Sequence, residues 1–551
     1  SRAGVSSRNE ATGAVAAHLY ETPGTYFVSL SITDGTNTAS NSCTQIVVQD
    51  PDVVFAGTNT ICVAATSLPV AGADGCPAGA AQAVSSDFST AVNTYQTAHK
   101  RILFKRGDTF SISGQAAAII TDGPGIVGAF GSGALPLIQR TTNNDILEIS
   151  NATTPTIKDW RVMDLELDGM SSTPSLAISA LGGMDQITLL RLNIHNVGWG
   201  ISFSSSSLDW WNTNGHPGHT LWDQLTVADS TLHHMDDGSP NSGYGIFAAG
   251  QHMALLGNSV DDVTAGTHIV RLTTTMTGVV SNNSLSRQGS NYTLLRIAGP
   301  GWCNNANPAL PIYGGPDCNY TNDSRPVGVE GANSGYTENV VISDNRFLTT
   351  GWVSLEIGPE NGNTDERVRN VVAERNFFDT GATSGYHVDV NARDITIRNN
   401  MFRISDFTVG SKGIGVGLRT PGSIEPPPLR VEIYNNSFYS TGELVGVSVD
   451  VNSTDTVVMD NVAYAPNGNA LHALLSDAGS ANLTASNNSS DAQVSGTSPL
   501  FADATGTMSL PSDFQPTGGS YAIGSGAVVP VWSDFFLVPQ TSTRDMGAVI
   551  H

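Results

Sequence analysis

Positive charge is scarce in this chain. Lysine and arginine together number 25 in 551 residues, against 49 aspartates and glutamates, for a formal net charge of −24. That argues against nucleic acid as a partner, because gripping a phosphate backbone needs a basic surface. Charge of either sign is low, at 13% of residues. Gly, Asn, Ser and Thr are abundant instead, which suits a rigid extracellular β-protein better than a cytosolic enzyme or a disordered chain. No apolar run reaches the roughly 20 residues that a membrane span needs. The chain opens on "SRAGV", with neither Met nor a signal peptide, and so reads as a processed or truncated product.

Cysteine is also rare, with five in all. Cys62/Cys76 and Cys303/Cys318 each bracket a short loop containing Gly and Pro. Two local disulfides are therefore expected, and with them an oxidising compartment: a secreted or cell-surface protein. Cys43 is left over.

A chain this long exceeds an ordinary single domain unless it is a repeat fold, and a repeat is present. "LLGNSV", "VSNNSL", "ISDNRF", "AERNFF", "IRNNMF", "IYNNSF" and "VMDNVA" share an apolar–x–x–Asn–x–apolar core. Its asparagines are Asn258, Asn283, Asn345, Asn376, Asn400, Asn436 and Asn461. The basic spacing is 25 (Asn258 to Asn283), 24 (Asn376 to Asn400) or 25 (Asn436 to Asn461), and longer gaps hold insertions. One coil of about 24 residues is the rung of a right-handed parallel β-helix. A single rung cannot bury its own apolar face, so rungs stack over one core, and the asparagines should stack as a ladder at a tight turn. "WRVMDLELDG" and "ITLLRLNIHN" read as earlier, less regular rungs.

The fold class expected is all-β: a parallel β-helix over residues 53–551, its coils running from about 100 to 500. Residues 1–52 form a separate unit. "SSDFSTAVNTYQTAHK" predicts a helix over about 86–99 that plugs the open end of the solenoid. Ser86 or Asp87 is its N-cap, and Phe88, Val92 and Tyr95 are its apolar stripe. The segment "TPGTYFVSLSITDGTNTASNSCTQIVVQD" alternates, with Tyr26, Val28, Leu30 and Ile32 on one side, and is broken by an Asp-Gly turn. It is a sandwich hairpin and resembles the C-terminal half of a PKD domain, an immunoglobulin-like module. The first half is missing, so upstream domains are expected before Ser1.

"THIVRL" and "YTLLRI" spend two of the rare arginines on neighbouring rungs. Arg271 and Arg296 each stand 13 residues after a ladder asparagine, Asn258 and Asn283, and should therefore stack. Alternation along each strand places Arg271, Tyr292, Arg296, Trp352, Glu356, His387 and Asp389 outward, and His268 inward. Two fixed positive charges on adjacent rungs call for an anion. It is either internal, from Glu356, or external, from the carboxylates of an acidic polysaccharide. Aromatic residues that can stack on sugar rings are concentrated nearby: Trp302 and Tyr313 in the Cys303/Cys318 segment, and Trp210 and Trp211 in "LDWWNTNGHPGHTLWD". Glu356 and Asp389 on one face would also suit a carboxylate-pair glycoside hydrolase. A non-catalytic glycan-binding rod fits the same coil.

The layout "HIVRL…VVSNNSLS…LLRIAG" resembles polysaccharide lyase family six, the β-helical alginate lyases and chondroitinase B. The likeness spans about Gly250–Phe347. It implies β-elimination on a uronic-acid polymer, with Ca²⁺ neutralising the substrate carboxylate. Arg296 matches the family's arginine, and Arg271 stands where the family has a lysine. Arginine is a poor base, so Arg271 would clamp the carboxylate and the base would be His268, Tyr292 or His252. The densest acidic cluster near these rungs, Asp236, Asp237, Asp261 and Asp262, is where calcium is expected.

Overall fold

The computed structural model describes residues 11–551 apart from 34–36, 113, 141–144, 150–155, 171–175, 181–182, 204–221, 236–242, 264–267, 289–292, 300–335, 350–351, 360–366, 381–385, 405–411, 419–426, 467–471, 504–506 and 542. The chain folds as a parallel β-helix with three strands per coil. One complete turn runs from Arg367–Glu374 through the asparagine corner to Phe377–Thr380, then to Tyr386–Val390, and on to Arg393–Arg398 of the next coil. Each strand pairs in parallel with its counterpart one coil on, as Val371 with Ile395, Phe378 with Phe402 and Val388 with Ile414. We call the three stacks the first, second and third faces in that order.

The ladder forms as the sequence indicates. The Nδ2 of each asparagine donates to Oδ1 of the next: Asn258 to Asn283 at 3.0 Å, Asn283 to Asn345 at 2.9 Å, and so on through Asn376, Asn400, Asn436 and Asn461. It continues to Asn488 at 3.0 Å. The residue ahead of each, such as Asp344, Arg375 and Asn399, is left-handed, with φ between 49° and 69°. A second left-handed residue precedes that one by five positions in every such rung, as Asn339, Asn370 and Asp394 show. Turns of this hand favour Asn and Asp, so two bends per coil are legible in composition.

Two residues past the ladder, Phe347, Phe378, Phe402 and Phe438 stack inside the coil at 4.8, 4.7 and 4.6 Å between ring centroids. The coil starts earlier than expected, at Thr60–Ala64, which pairs with Lys100–Lys105. The plug helix is shorter than its sequence window, Phe88–Tyr95. Asp87 caps it by accepting from the Thr90 N–H at 2.7 Å, and Phe88 and Val92 are fully buried. A second short helix, Asp491–Gly496, closes the other end with Val494 in the core. The described residues after Leu500 leave the coil and pack on the outside of the second face, where Phe514 and Met546 meet Phe377, Met401 and Val462.

Cys62 and Cys76 form a disulfide. Cys303 and Cys318 lie outside the described residues. The N-terminal unit is a two-stranded antiparallel sheet, Gly24–Thr33 with Thr38–Val48, consistent with part of a β-sandwich. A bulge between Val28 and Leu30 interrupts its alternation, and Phe27, Leu30 and Ile32 are exposed. No described helix is long and apolar enough to cross a membrane.

Candidate functional site

The third face does not alternate strictly, and this changes where its side chains point. Ile269 and Val270 both lie in the core, as do Leu294 and Leu295. Two consecutive inward residues mean that each strand turns a corner there. The residues flanking the corner, three apart, then share the outer surface: His268 with Arg271, Thr293 with Arg296, Tyr386 with Asp389. Gly413 and Gly446 occupy the first corner position on later rungs. A Cβ at Gly413 would come within 2.4 Å of the Phe438 ring.

Two expectations are corrected by the corner. His268 faces outward, not inward. His387 faces inward, its ring 6.4 Å from Phe378 and 6.1 Å from Phe402. Burial there drives its pKa down to about 3, so it is a neutral core residue hydrogen-bonded to Ser354 at 3.4 Å and is not part of the outer surface.

The outer column itself is in register as expected. Phe247, Arg271, Arg296, Glu356 and Asp389 are direct partners on consecutive rungs. Arg296 and Glu356, expected to be open to solvent, are 2% and 5% exposed. Arg296 Nη2 lies 3.5 Å from Glu356 Oε1 and donates to the Pro359 carbonyl at 3.2 Å. Thr293 donates to Glu356 Oε2 at 3.0 Å. Arg296 Nη1 reaches His268 Nε2 at 3.4 Å. A guanidinium only donates, so this contact uses Nε2 as its acceptor. Arg271 is half-buried, with its guanidinium 5.0 Å over the Phe247 ring. Asp389 is also half-buried, and Trp352 is 41% exposed beside the column.

Four residues at this surface escaped the sequence reading. Thr293 holds Glu356. Trp199 and Tyr244 pack at 4.5 Å, and Tyr244 lies 5.0 Å from Phe247 and 6.1 Å from His268. Lys412 sits 5.1 Å over the Tyr386 ring and donates to Ser448 at 3.0 Å. The signal for them was the three-residue offset in "TLLR", "YGIF" and "KGIG", which a period of two conceals. Tyr292, Trp302, Tyr313, Trp210, Trp211, Asp236 and Asp237 lie outside the described residues.

A second polar column runs up the second face: Asp168, His195, His233 and Asp261 are successive partners. The His195 and His233 rings stack at 5.0 Å. Burial, with the neighbouring His195 and His234, holds the His233 pKa down. His195 Nε2 meets Glu166 at 3.0 Å. Asp261 accepts from Ser286 at 2.8 Å, and Asp262 faces His234 at 3.2 Å. Among the described residues no three His, Cys, Asp or Glu side chains converge on a cation position, so no chemical step is drawn through calcium. His252, the other base weighed, lies elsewhere, 2.7 Å from Asp223 on the first face.

No family model matches the chain, and no curated protein matches it. Solved structures do. The A-module of the mannuronan C-5 epimerase AlgE4 of Azotobacter vinelandii is 11% identical, over 73% of this chain and 91% of that one, with a TM-score of 0.41. A double mutant of the tailspike protein of E. coli bacteriophage HK620 is 11% identical over 70% and 68%, with a TM-score of 0.44. A mutant of that tailspike in complex with hexasaccharide is 10% identical over 72% and 69%, with a TM-score of 0.42.

Proposed function

We propose that this chain is a secreted protein that holds an acidic, uronic-acid-containing polysaccharide along its third face and cleaves it by β-elimination. One observation carries this: the His268 imidazole stands at the outer corner beside two guanidiniums on successive rungs, with Nε2 turned to Arg296. Removing a proton from the carbon next to a carboxylate needs a base of near-neutral pKa and a cation to neutralise that carboxylate. His268 Nε2 takes the C5 proton once the long Arg296 contact is exchanged for substrate. Arg271 clamps the carboxylate with its planar fork. Electrons of the C5–H bond form the C4–C5 double bond, the C4–O4 bond breaks, and O4 leaves with the proton that His268 passes on, its developing charge offset by Arg296. The Cys62–Cys76 disulfide supports the extracellular placement.

A non-catalytic glycan-binding rod is the second reading, favoured by the burial of Arg296 and Glu356 as each other's partners. Glycoside hydrolysis by Glu356 and Asp389 is less well supported. Glu356 is held by Arg296 and Thr293, which ties up the carboxyl that would have to move a proton. The test is an ultraviolet scan over a panel of uronic-acid polymers, since elimination leaves an absorbing double bond and hydrolysis does not. The expected result is rising absorbance that His268→Ala abolishes. Binding without any absorbance would leave the rod, and new reducing ends without absorbance the hydrolase.

A further inference from the structure

The proposed function leaves open how densely the polymer is charged; the order of side chains along the third face answers that. Two rows run parallel to the helix axis. In the row already described, Ser202 precedes Phe247, and Arg271, Arg296, Glu356, Asp389 and Gly415 follow. In the row three residues earlier, Trp199 pairs with Tyr244, His268 with Thr293, Thr293 with Val353, and Tyr386 with Lys412. The surface is therefore divided into zones. First comes an aromatic zone: Trp199, Tyr244 and Phe247, with ring centroids 4.5 to 5.8 Å apart and no charge among them. Two cationic rungs follow, then two acidic rungs, Glu356 and Asp389; the inner members, Arg296 and Glu356, are buried and bridged to each other, so Arg271 and Asp389 are the charges nearest the surface. The next cation, Lys412, is one rung beyond Asp389 and four beyond Arg271.

Rungs are about 4.8 Å apart, close to the advance of one pyranose in an extended chain, so a polymer lying along the axis sets successive sugars against successive rungs. A ring face over Trp199, Tyr244 and Phe247 is stabilised by stacking, which needs no charge. A carboxylate is stabilised over Arg271. Over the bridged Arg296–Glu356 pair it loses hydration with no net cation in return, and over Asp389 it meets like charge. We infer that the ligand is a heteropolysaccharide in which single uronates are spaced by neutral sugars, not a polyuronate. A neutral pyranose stacks on the Trp199–Tyr244–Phe247 platform and another lies over the acidic rungs. This rests on the acidic-glycan proposal above and narrows it.

The experiment titrates the full chain with two sets of probes. One is polygalacturonate and alginate fragments, in which every sugar is a uronate. The other is gellan, xanthan and hyaluronan fragments, in which uronates alternate with or are spaced by neutral sugars. Affinity for at least one spaced polymer should exceed that for both polyuronates by about ten-fold or more. Phe247→Ala or Trp199→Ala should weaken the spaced polymer about ten-fold while the melting temperature holds. Asp389→Asn should raise polyuronate affinity selectively. Equal or tighter polyuronate binding by the native chain overturns the inference and leaves the acidic-glycan proposal standing. So does an unchanged affinity in both aromatic variants. Binding of neither set overturns both.

Discussion

The asparagine corner and the outer column of the third face use the same register in opposite ways. At the corner one residue recurs, from Asn258 to Asn488, each side chain bonded to the next and to a backbone carbonyl such as Ala373 O or Ile397 O. On the column the residue changes at every step but one, from Phe247 through Arg271, Arg296 and Glu356 to Asp389. A turn leaves the same backbone groups to be satisfied in every coil, and one side chain solves that each time. The coil itself does not require Phe, Arg, Glu and Asp in succession on an outer surface. Repetition marks scaffold, and variation on a fixed register marks a surface that answers to something outside. Arg296 and Glu356 belong to both classes, because their mutual bridge is also packed away from water.

The largest effects should fall on the repeating side. Phe402→Ala removes the middle of the internal ring stack and should cost about 3–5 kcal/mol by the cavity it leaves, read as a drop in the denaturant midpoint. The matching truncation Phe247→Ala should cost under about 1 kcal/mol, because the ring is half exposed. Equal losses would erase the contrast between scaffold and surface.

Arg296→Ala comes next. It strands a buried Glu356 and should cost about 3–5 kcal/mol, whereas an Arg296→Met, Glu356→Leu double variant should recover most of that. Arg271→Ala, by contrast, should change stability by less than about 0.5 kcal/mol. It should weaken glycan binding ten- to a hundred-fold, the worth of a charge-assisted contact of about 1.5–3 kcal/mol. A melting loss at Arg271 without a binding loss would move it to the scaffold side.

A smaller effect is set at the ladder by protons. Asp460 precedes Asn461 with φ of 60° and is fully buried under the C-terminal segment. Its Oδ1 accepts from the Ala527 N–H at 2.8 Å, and Gly547 N–H donates to its carbonyl at 2.7 Å. Burial raises its pKa from 3.8 to about 6, with Arg544 opposing. Between those values the folded state binds more protons than the unfolded one. The contribution is therefore whole below about pH 4 and is lost as pH rises through 6. Stability should fall by about 1–3 kcal/mol across that window, and Asp460→Asn should flatten that slope. The smallest shift should come from calcium. With Asp261 and Asp262 engaged by Ser286 and His234, adding chelator should move the melting temperature by no more than about 2 °C, since a loss under ~0.5 kcal/mol shifts it little in a chain this long. A large shift would place ligands in segments outside those described.

The sequence by itself determined the coil, the ladder, the plug helix with a cap at Ser86 or Asp87, and the partnership of Arg271 with Arg296, because each is a consequence of spacing and local propensity. A ladder of identical residues announces its own register, and register fixes which residues are neighbours. What only the tertiary structure decided is which way those neighbours point and what they touch. The corner at Ile269–Val270 turns His268 out and His387 in, because the coil must bend where a triangular core narrows, and no alternation rule contains that bend. The partners of Arg296 come from Glu356 and Pro359 one rung on and from His268 one rung back. They lie as far as 63 residues away in the chain, brought together by rung stacking after insertions whose length the repeat does not specify.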